Sequence, residues 1–174
     1  MYQLNGVMYS AEEIKAKVVE LAKQIEKDYA GEELLVVGIL KGASVFCADL
    51  IREIDLDVKI DFMVVSSYGS GTTSSGTVKI IKDLDVDIEN KNVLIVEDII
   101  DSGLTLSSLV EALKTRNPKS LRLCTLLDKP ERRKANIKVD YVGYVIEDKF
   151  IVGYGIDYDE KYRNLPYIGI VEDI

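Results

Sequence analysis

Residues 93–105, Val-Leu-Ile-Val-Glu-Asp-Ile-Ile-Asp-Ser-Gly-Leu-Thr, run an apolar segment into carboxylates and then into a small, hydroxyl-bearing turn. That order leaves few folds open. A continuous apolar run such as Val93 to Val96 suits a parallel strand buried on both faces, which can place polar groups only at its C-terminal end. Glu97, Asp98 and Asp101 stand there. Beyond the turn, Leu106, Leu109, Val110 and Leu113 fall at i, i+3, i+4 and i+7, the apolar stripe of an amphipathic helix. The turn Asp101 to Thr105 is therefore expected at a helix N-terminus, where unpaired N–H groups and the helix dipole attract an anion. Acids beside an anion cradle make chemical sense if they hold ribose hydroxyls or a divalent metal. A plain helix cap explains Asp101 or Ser102 but leaves Glu97 and Asp98 on the same rim unexplained.

The rest of the chain repeats the strand-and-helix pattern. Ser10 with Glu13 forms a capping box, opening a helix whose Ile14, Val18, Leu21 and Ile25 share a face and which Gly31 ends. Leu34 to Leu40 reads as a buried strand, followed by Lys41-Gly42 and a helix over 43–54. Strands are expected at 58–65, 78–81, 121–127, 141–146, 151–154 and 167–171, with Asn117-Pro118 halting the helix that follows the acidic strand. Alternating strands and helices imply a mostly parallel α/β sheet. The strand-rich C-terminal third adds antiparallel strands or a small separate lobe.

Composition narrows the chemistry. A chain of 174 residues suits one domain, large enough to bury roughly 70% of its unfolded surface. The net charge of −8 argues against nucleic acid as a partner, although local lysines and arginines can still dominate a cleft for a small anion. Histidine is absent, which removes Ser-His-Asp and Cys-His catalysis and HExxH-type metal sites. Acid–base work falls to Asp, Glu, Lys or Tyr. Cys47 and Cys124 lie far apart in apolar surroundings and read as buried, inert thiols. Met1 to Val7 has no basic-then-apolar signal pattern, and no apolar run approaches membrane-spanning length, so a cytoplasmic protein with no membrane partner is expected.

Ligands of open parallel sheets bind outside the carboxyl ends of the strands. Applied here, that rim gathers Lys41-Gly42, Ser66-Ser67-Tyr68, Glu97-Asp98 and Asp128-Lys129. Residues 66–77 contain only Ser, Thr and Gly apart from Tyr68, too little apolar surface to offset their ordering entropy. Such a segment inside a domain reads as a lid or a solvated hairpin tip. Neither GxGxxG nor GxxxxGK[ST] occurs, so dinucleotide and P-loop readings fail.

The apolar strand, paired acids and Asp-Ser-Gly-Leu-Thr of residues 93–105 closely resemble the phosphoribosyl-pyrophosphate motif of the type I phosphoribosyltransferases. Residues 147–163, from Glu147 to Arg163, resemble the purine-binding segment of the hypoxanthine-guanine branch of that family. With Leu40-Lys41-Gly42 and Ser67-Tyr68 the likeness spans most of the chain. It implies a single α/β domain with a mostly parallel sheet flanked by helices, a small hood formed by the chain termini and a lid over 66–77. It also implies transfer of ribose 5-phosphate from phosphoribosyl pyrophosphate to hypoxanthine or guanine, giving IMP or GMP plus pyrophosphate, with Mg2+ as cofactor in a homo-oligomer, dimer or tetramer. The alternatives are a phosphoribosyltransferase for another base (xanthine, adenine, orotate) or a non-catalytic regulator binding phosphoribosyl pyrophosphate on the same fold. Carried over by residue, Lys129 bonds the purine 6-oxo group, Phe150 stacks on the base, and the backbone at Ile151 and Asp157 reads its other edge. Glu97 and Asp98 hold the ribose hydroxyls directly or through metal, and Asp157 is a further metal ligand. Asp101, Ser102, Gly103, Leu104 and Thr105 wrap the 5′-phosphate, with Asp101 also the catalytic proton acceptor. Lys41, Gly42, Ser67, Tyr68 and Arg163 surround pyrophosphate. Several relatives carry Thr in place of Ser102 and Lys or Arg in place of Leu104, differences that spare the backbone N–H donors.

Overall fold

Alternate residues of the buried strands face opposite ways, and each set meets its own helices. In the computed structural model, which describes residues 2–67 and 78–173, Leu34, Val36, Leu94 and Val96 join one core and Leu35, Val37, Val93 and Ile95 the other. Period-2 alternation with both faces apolar is what produces the unbroken hydrophobic runs in the sequence. Fully burying such a side chain is worth about 1.5–3 kcal/mol.

The strands are β1 (Tyr2–Tyr9), β2 (Glu33–Ile39), β3 (Asp57–Ser67), β4 (Val78–Lys82), β5 (Asn92–Ile100), β6 (Ser120–Asp128), β7 (Tyr141–Val145), β8 (Ile151–Val152) and β9 (Ile168–Asp173). The helices are α1 (Ala11–Asp28), α2 (Ser44–Glu53) and α3 (Leu104–Lys114). Six strands form the main sheet in the order β4-β3-β2-β5-β6-β7, parallel except for β4. The stripes of α1 and α2 (Ile14, Val18, Leu21, Ile25, Phe46, Leu50) cover one face, and Leu106, Leu109 and Leu113 of α3 cover the other. The expected capping box opens α1: Glu13 N–H donates to Ser10 Oγ at 3.1 Å and Ser10 N–H to Glu13 Oε1 at 3.2 Å.

The chain lays β3 and β4 on one side of β2, then crosses over to lay β5 on the other. Strand order therefore reverses between β2 and β5, the place where open α/β sheets form a crevice. Above it stands a three-stranded hood, β1-β9-β8, built from both ends of the chain. Its Ile151, Tyr154, Ile156 and Ile168 join the core shared with α1 and α2.

Several expected boundaries shift. Strand β1 has no counterpart in the reading of Met1 to Val7; Gly6 at φ +104 and two register irregularities interrupt its alternation. The acidic strand continues through Glu97 and Asp98 to Ile100, because β6 pairs with it as far as Asp128. Strand β8 stops at Val152, where Gly153 and Tyr154 turn to positive φ. Helix α1 ends at Asp28, with Gly31 in the turn beyond. The 141–146 segment is a parallel member of the main sheet, whereas 151–154 and 167–171 supply the antiparallel strands. Tyr68 and all but the first two residues of the Ser/Thr/Gly segment lie outside the described residues.

The hood is fastened to the sheet by close backbone contact. A Cβ on Gly155, at φ +97, would stand 2.2 Å from the Gly42 carbonyl oxygen. Gly155→Ala should therefore cost the roughly 1–3 kcal/mol typical of a strained backbone position, and more where the two loops separate. Urea unfolding with hydrogen exchange of residues 151–171 checks this; an unchanged midpoint would mean the contact carries no stability.

Candidate active site

The strand ends deliver the expected groups to one rim. Lys41 and Gly42 follow β2, Ser67 ends β3, Glu97 and Asp98 lie in the last part of β5, and Lys129 follows β6. Gly42 and Asp98 meet across the switch point: a Cβ on Gly42 would lie 1.9 Å from Asp98 Oδ2. No other residue type fits without moving the carboxylate. The peptide between Leu40 and Lys41 is cis.

Glu97 and Asp98 remain partly open to solvent, yet protein atoms crowd both carboxyls. Burial and the neighbouring Asp98 charge push Glu97 well above the usual carboxylate range. Burial likewise raises Asp98, opposed by the N–H of Ile99, which donates to Asp98 Oδ1 at 2.7 Å, and by the charge of Arg163. A divalent cation or a pair of hydroxyl donors would offset both causes. Among the described residues no group of three or more acidic, His or Cys side chains gathers into a metal cluster. Asp157 does not join Glu97 and Asp98: its Oδ1 lies 3.3 Å from Arg163 Nη2, and its Oδ2 accepts from the Glu160 N–H at 2.9 Å. One or two carboxylates per ion suit Mg2+, which keeps waters and takes its remaining ligands from phosphates.

Helix α3 opens differently from a plain capped helix. Its N-cap is Gly103 in the left-handed region (φ 74), with no side-chain cap bond and no acid in the first turn. Asp101 and Ser102 precede the cap, and Leu104 and Thr105 are the first helical residues. Ser102 Oγ accepts only a 3.4 Å contact from the Leu104 N–H. Residues 101–105, with Val65, Glu97 and Leu106, line a cavity of about 200 Å³, and donor-rich backbone at a helix start is suited to an anion. A larger cavity of about 570 Å³ lies between α1, α2 and the 154–166 loop, but it shares only Arg163 with this rim.

Lys129 is the most unusual group. Only 5% of it is exposed, and its Nζ sits 3.8 Å from Asp101 Oδ1 and 3.7 Å from Asp148 Oδ1. A buried ammonium between two carboxylates is a fixed donor with no acceptor capacity. Phe150 is 45% exposed, its ring edge-on to Tyr158 with centroids 5.3 Å apart, so it is no core residue. Ile151 beside it is buried in β8. On the hood side, Arg163 Nη1 donates to the Gly155 carbonyl at 2.7 Å, and its Nε is buried without a partner among the described residues.

Residues 8–159 match the family model described as the phosphoribosyl transferase domain. The chain belongs to that family. It is 55% identical over 98% of its length to a hypoxanthine-guanine phosphoribosyltransferase of Bacillus subtilis, covering 95% of that protein. It is 55% identical over 95% of its length to a hypoxanthine phosphoribosyltransferase of Escherichia coli, covering 94% of it. The crystal structure of a hypoxanthine phosphoribosyltransferase from Staphylococcus aureus superposes with a TM-score of 0.95 at 55% identity, covering 97% of this chain and 92% of that one. The mostly parallel sheet with a terminal hood is the type I phosphoribosyltransferase fold. Among the described residues no helix is long and apolar enough to cross a membrane.

The sequence reading assigns no role to three acids of the site, although it puts Asp128 on the rim beside Lys129. Asp148 faces Lys129, and Asp128 binds Arg133. Glu160 holds both expected pyrophosphate cations, Lys41 Nζ at 3.0 Å and Arg163 Nη2 at 3.1 Å. Each is an acid within a few residues of a motif position. That nearness is the only sequence signal, and it is weak because acids are common throughout this chain.

The raised Glu97 carboxyl gives a stability test. A carboxyl whose folded value lies above its unfolded one contributes fully below the unfolded value, and that contribution is lost as pH climbs through the folded value. Glu97→Gln should therefore melt higher than the parent without metal, by a difference that grows from pH 5 to pH 8. About 2–4 °C is expected for each 1 kcal/mol relieved. A difference that is flat or shrinks with pH would remove the charge clash.

Proposed function

We propose that this chain transfers ribose 5-phosphate from phosphoribosyl pyrophosphate to hypoxanthine or guanine, releasing pyrophosphate and forming IMP or GMP. The observation that carries the reading is the buried Lys129, held 3.8 Å from Asp101 at the mouth of the helix turn. It sets a base-reading donor beside a candidate proton acceptor and an anion cradle. The names of the relatives at 55% identity support the same reaction.

The glycosidic bond forms at C1′ of the ribose as the bond to pyrophosphate breaks, so positive charge develops on the sugar as in glycoside hydrolysis. The helix start at 101–105 binds the 5′-phosphate, and Glu97 and Asp98 fix the ribose hydroxyls. Lys41 and Arg163 stand where the leaving pyrophosphate gathers charge, and leave Glu160 to meet it. Glu97 and Asp98 would hold Mg2+, which would supply charge neutralisation for the leaving pyrophosphate. Phe150 covers the base, the backbone near Ile151 and Asp157 reads its far edge, and Asp101 accepts the proton that the purine loses from N7. The two buried free thiols fit a reducing compartment, and a cytoplasmic location is part of the proposal.

Asp101→Asn should lower kcat by about 10²–10⁴ while GMP binding persists, the usual range for loss of a general base. Steady-state rates paired with calorimetric GMP titration make the comparison, and a near-normal kcat would leave Asp101 a phosphate-turn residue only.

Base choice tests the reading as a whole. Lys129 offers only donors, so adenine would leave its 6-amino group and the ammonium desolvated and unpaired. Hypoxanthine and guanine should be favoured over adenine by about 10⁴–10⁵ in kcat/KM. Lys129→Ala should narrow that ratio mainly by slowing the 6-oxopurines. Comparable adenine turnover by the parent protein would overturn the assignment.

A further inference from the structure

Three consecutive carbonyls before α3 are held by a single strap. Ile100 O accepts from the Lys129 N–H at 3.0 Å, and Ser102 O accepts from the Lys134 and Ala135 N–H groups at 2.9 and 3.1 Å. The middle carbonyl, Asp101 O, has a side-chain donor: Arg133 Nε, at 3.2 Å. The same guanidinium donates through Nη2 to Asp128 Oδ1. Its stem lies under the cap as well, since a Cβ on Gly103 would stand 3.1 Å from Arg133 Cδ and 3.2 Å from Ile137 Cγ2.

The geometry assigns Arg133 as the positioning residue of the phosphate turn. A trans peptide is planar, with its N–H pointing opposite to its C=O. Holding carbonyls 100, 101 and 102 against the strap turns the N–H groups of Asp101, Ser102 and Gly103 away from it. Arg133 fixes the central peptide of that set, the one whose plane sets both the Ser102 N–H and the direction in which Asp101 leaves the backbone. The strap starts at Lys129, so it also ties the base-reading lysine to the phosphate cradle. Arginine is required because one rigid fork must reach a backbone carbonyl and a carboxylate together. A lysine carries a single nitrogen and can keep the charge but not both directed bonds. Asp128, 9% exposed at the end of β6, anchors the fork and shares its function. The sequence reading places Asp128 on the rim without a role and leaves Arg133 out of the site.

This inference rests on the proposed transferase activity, and its test separates the two. The parent, Arg133→Lys, Arg133→Gln and Asp128→Asn proteins are assayed with hypoxanthine, phosphoribosyl pyrophosphate and Mg2+, alongside melting temperature and calorimetric GMP binding. A 1 Å misplacement can cost about 10²-fold. Arg133→Gln should therefore lose about that factor in kcat/KM for phosphoribosyl pyrophosphate, with weaker GMP binding and a KM for hypoxanthine changed less than threefold. Arg133→Lys should keep most of the melting temperature yet recover little of the rate. Arg133→Gln combined with Asp128→Asn should lose no more than the worse single variant, because the pair acts as a unit. Melting-point losses in both Arg133 variants with kcat/KM within threefold of the parent would overturn the assignment and leave Arg133 a stabilising ion pair. A parent without transferase activity would refute the functional reading. The positioning role would then be judged on GMP affinity alone, and equal affinity in Arg133→Lys and the parent would overturn it too.

Discussion

Burial of β2 and β5 on both faces is the constraint on which the rest depends. A strand covered on both faces can carry almost nothing but apolar side chains along its length, so its chemistry is pushed to its end. Parallel pairing sends every such end to the same edge of the sheet. The reversal of strand order between β2 and β5 then leaves a crevice at that edge which no crossover fills. Lys41, Gly42, Glu97 and Asp98 are the first residues of each strand end free to be polar or small, and they meet in that crevice.

Holding Glu97 and Asp98 side by side is electrostatically unfavourable, and both carboxyls respond by shifting upward. The absence of a Cβ at Gly42 lets Asp98 fold against the β2 loop, while the charge of Arg163 opposes part of the cost. Hydroxyl donors or a cation beside the two carboxyls would offset that cost. Function has been placed where the fold is least comfortable, and the apolar layers on either side supply the stability that tolerates it.

Two straps hold the site from outside the sheet. The 128–137 segment grips the carbonyls of 100–102, and the hood loop 153–163 rests on Gly42 through Gly155. Between them Lys129 is enclosed by Asp101 and Asp148. A solvated lysine would be a mobile point charge; burial between two carboxylates makes it a directed donor. The candidate base-reading lysine and the candidate anion turn are thereby fastened to one short stretch of chain.

The local sequence determined the buried parallel strands, the capping box at Ser10, the helix stripes and the strand-end groups, since each follows from residue type and spacing within a few turns. The resemblance over residues 93–105 and 147–163 added the family and the expected roles. Strand β1 escaped notice because its alternation is broken at Gly6 and its partner β9 lies at the far end of the chain. The extension of β5 through its two acids depends on pairing with β6, which no local pattern announces. Arg133 is an ordinary exposed-looking arginine in the sequence. Only the packing of the strap onto the turn gives it Asp101 O and Asp128 as partners, and only folding brings Glu160 to Lys41, 119 residues away. Residue type and spacing decided which groups could do chemistry; the directions in which they point were decided by contacts between segments distant in the chain.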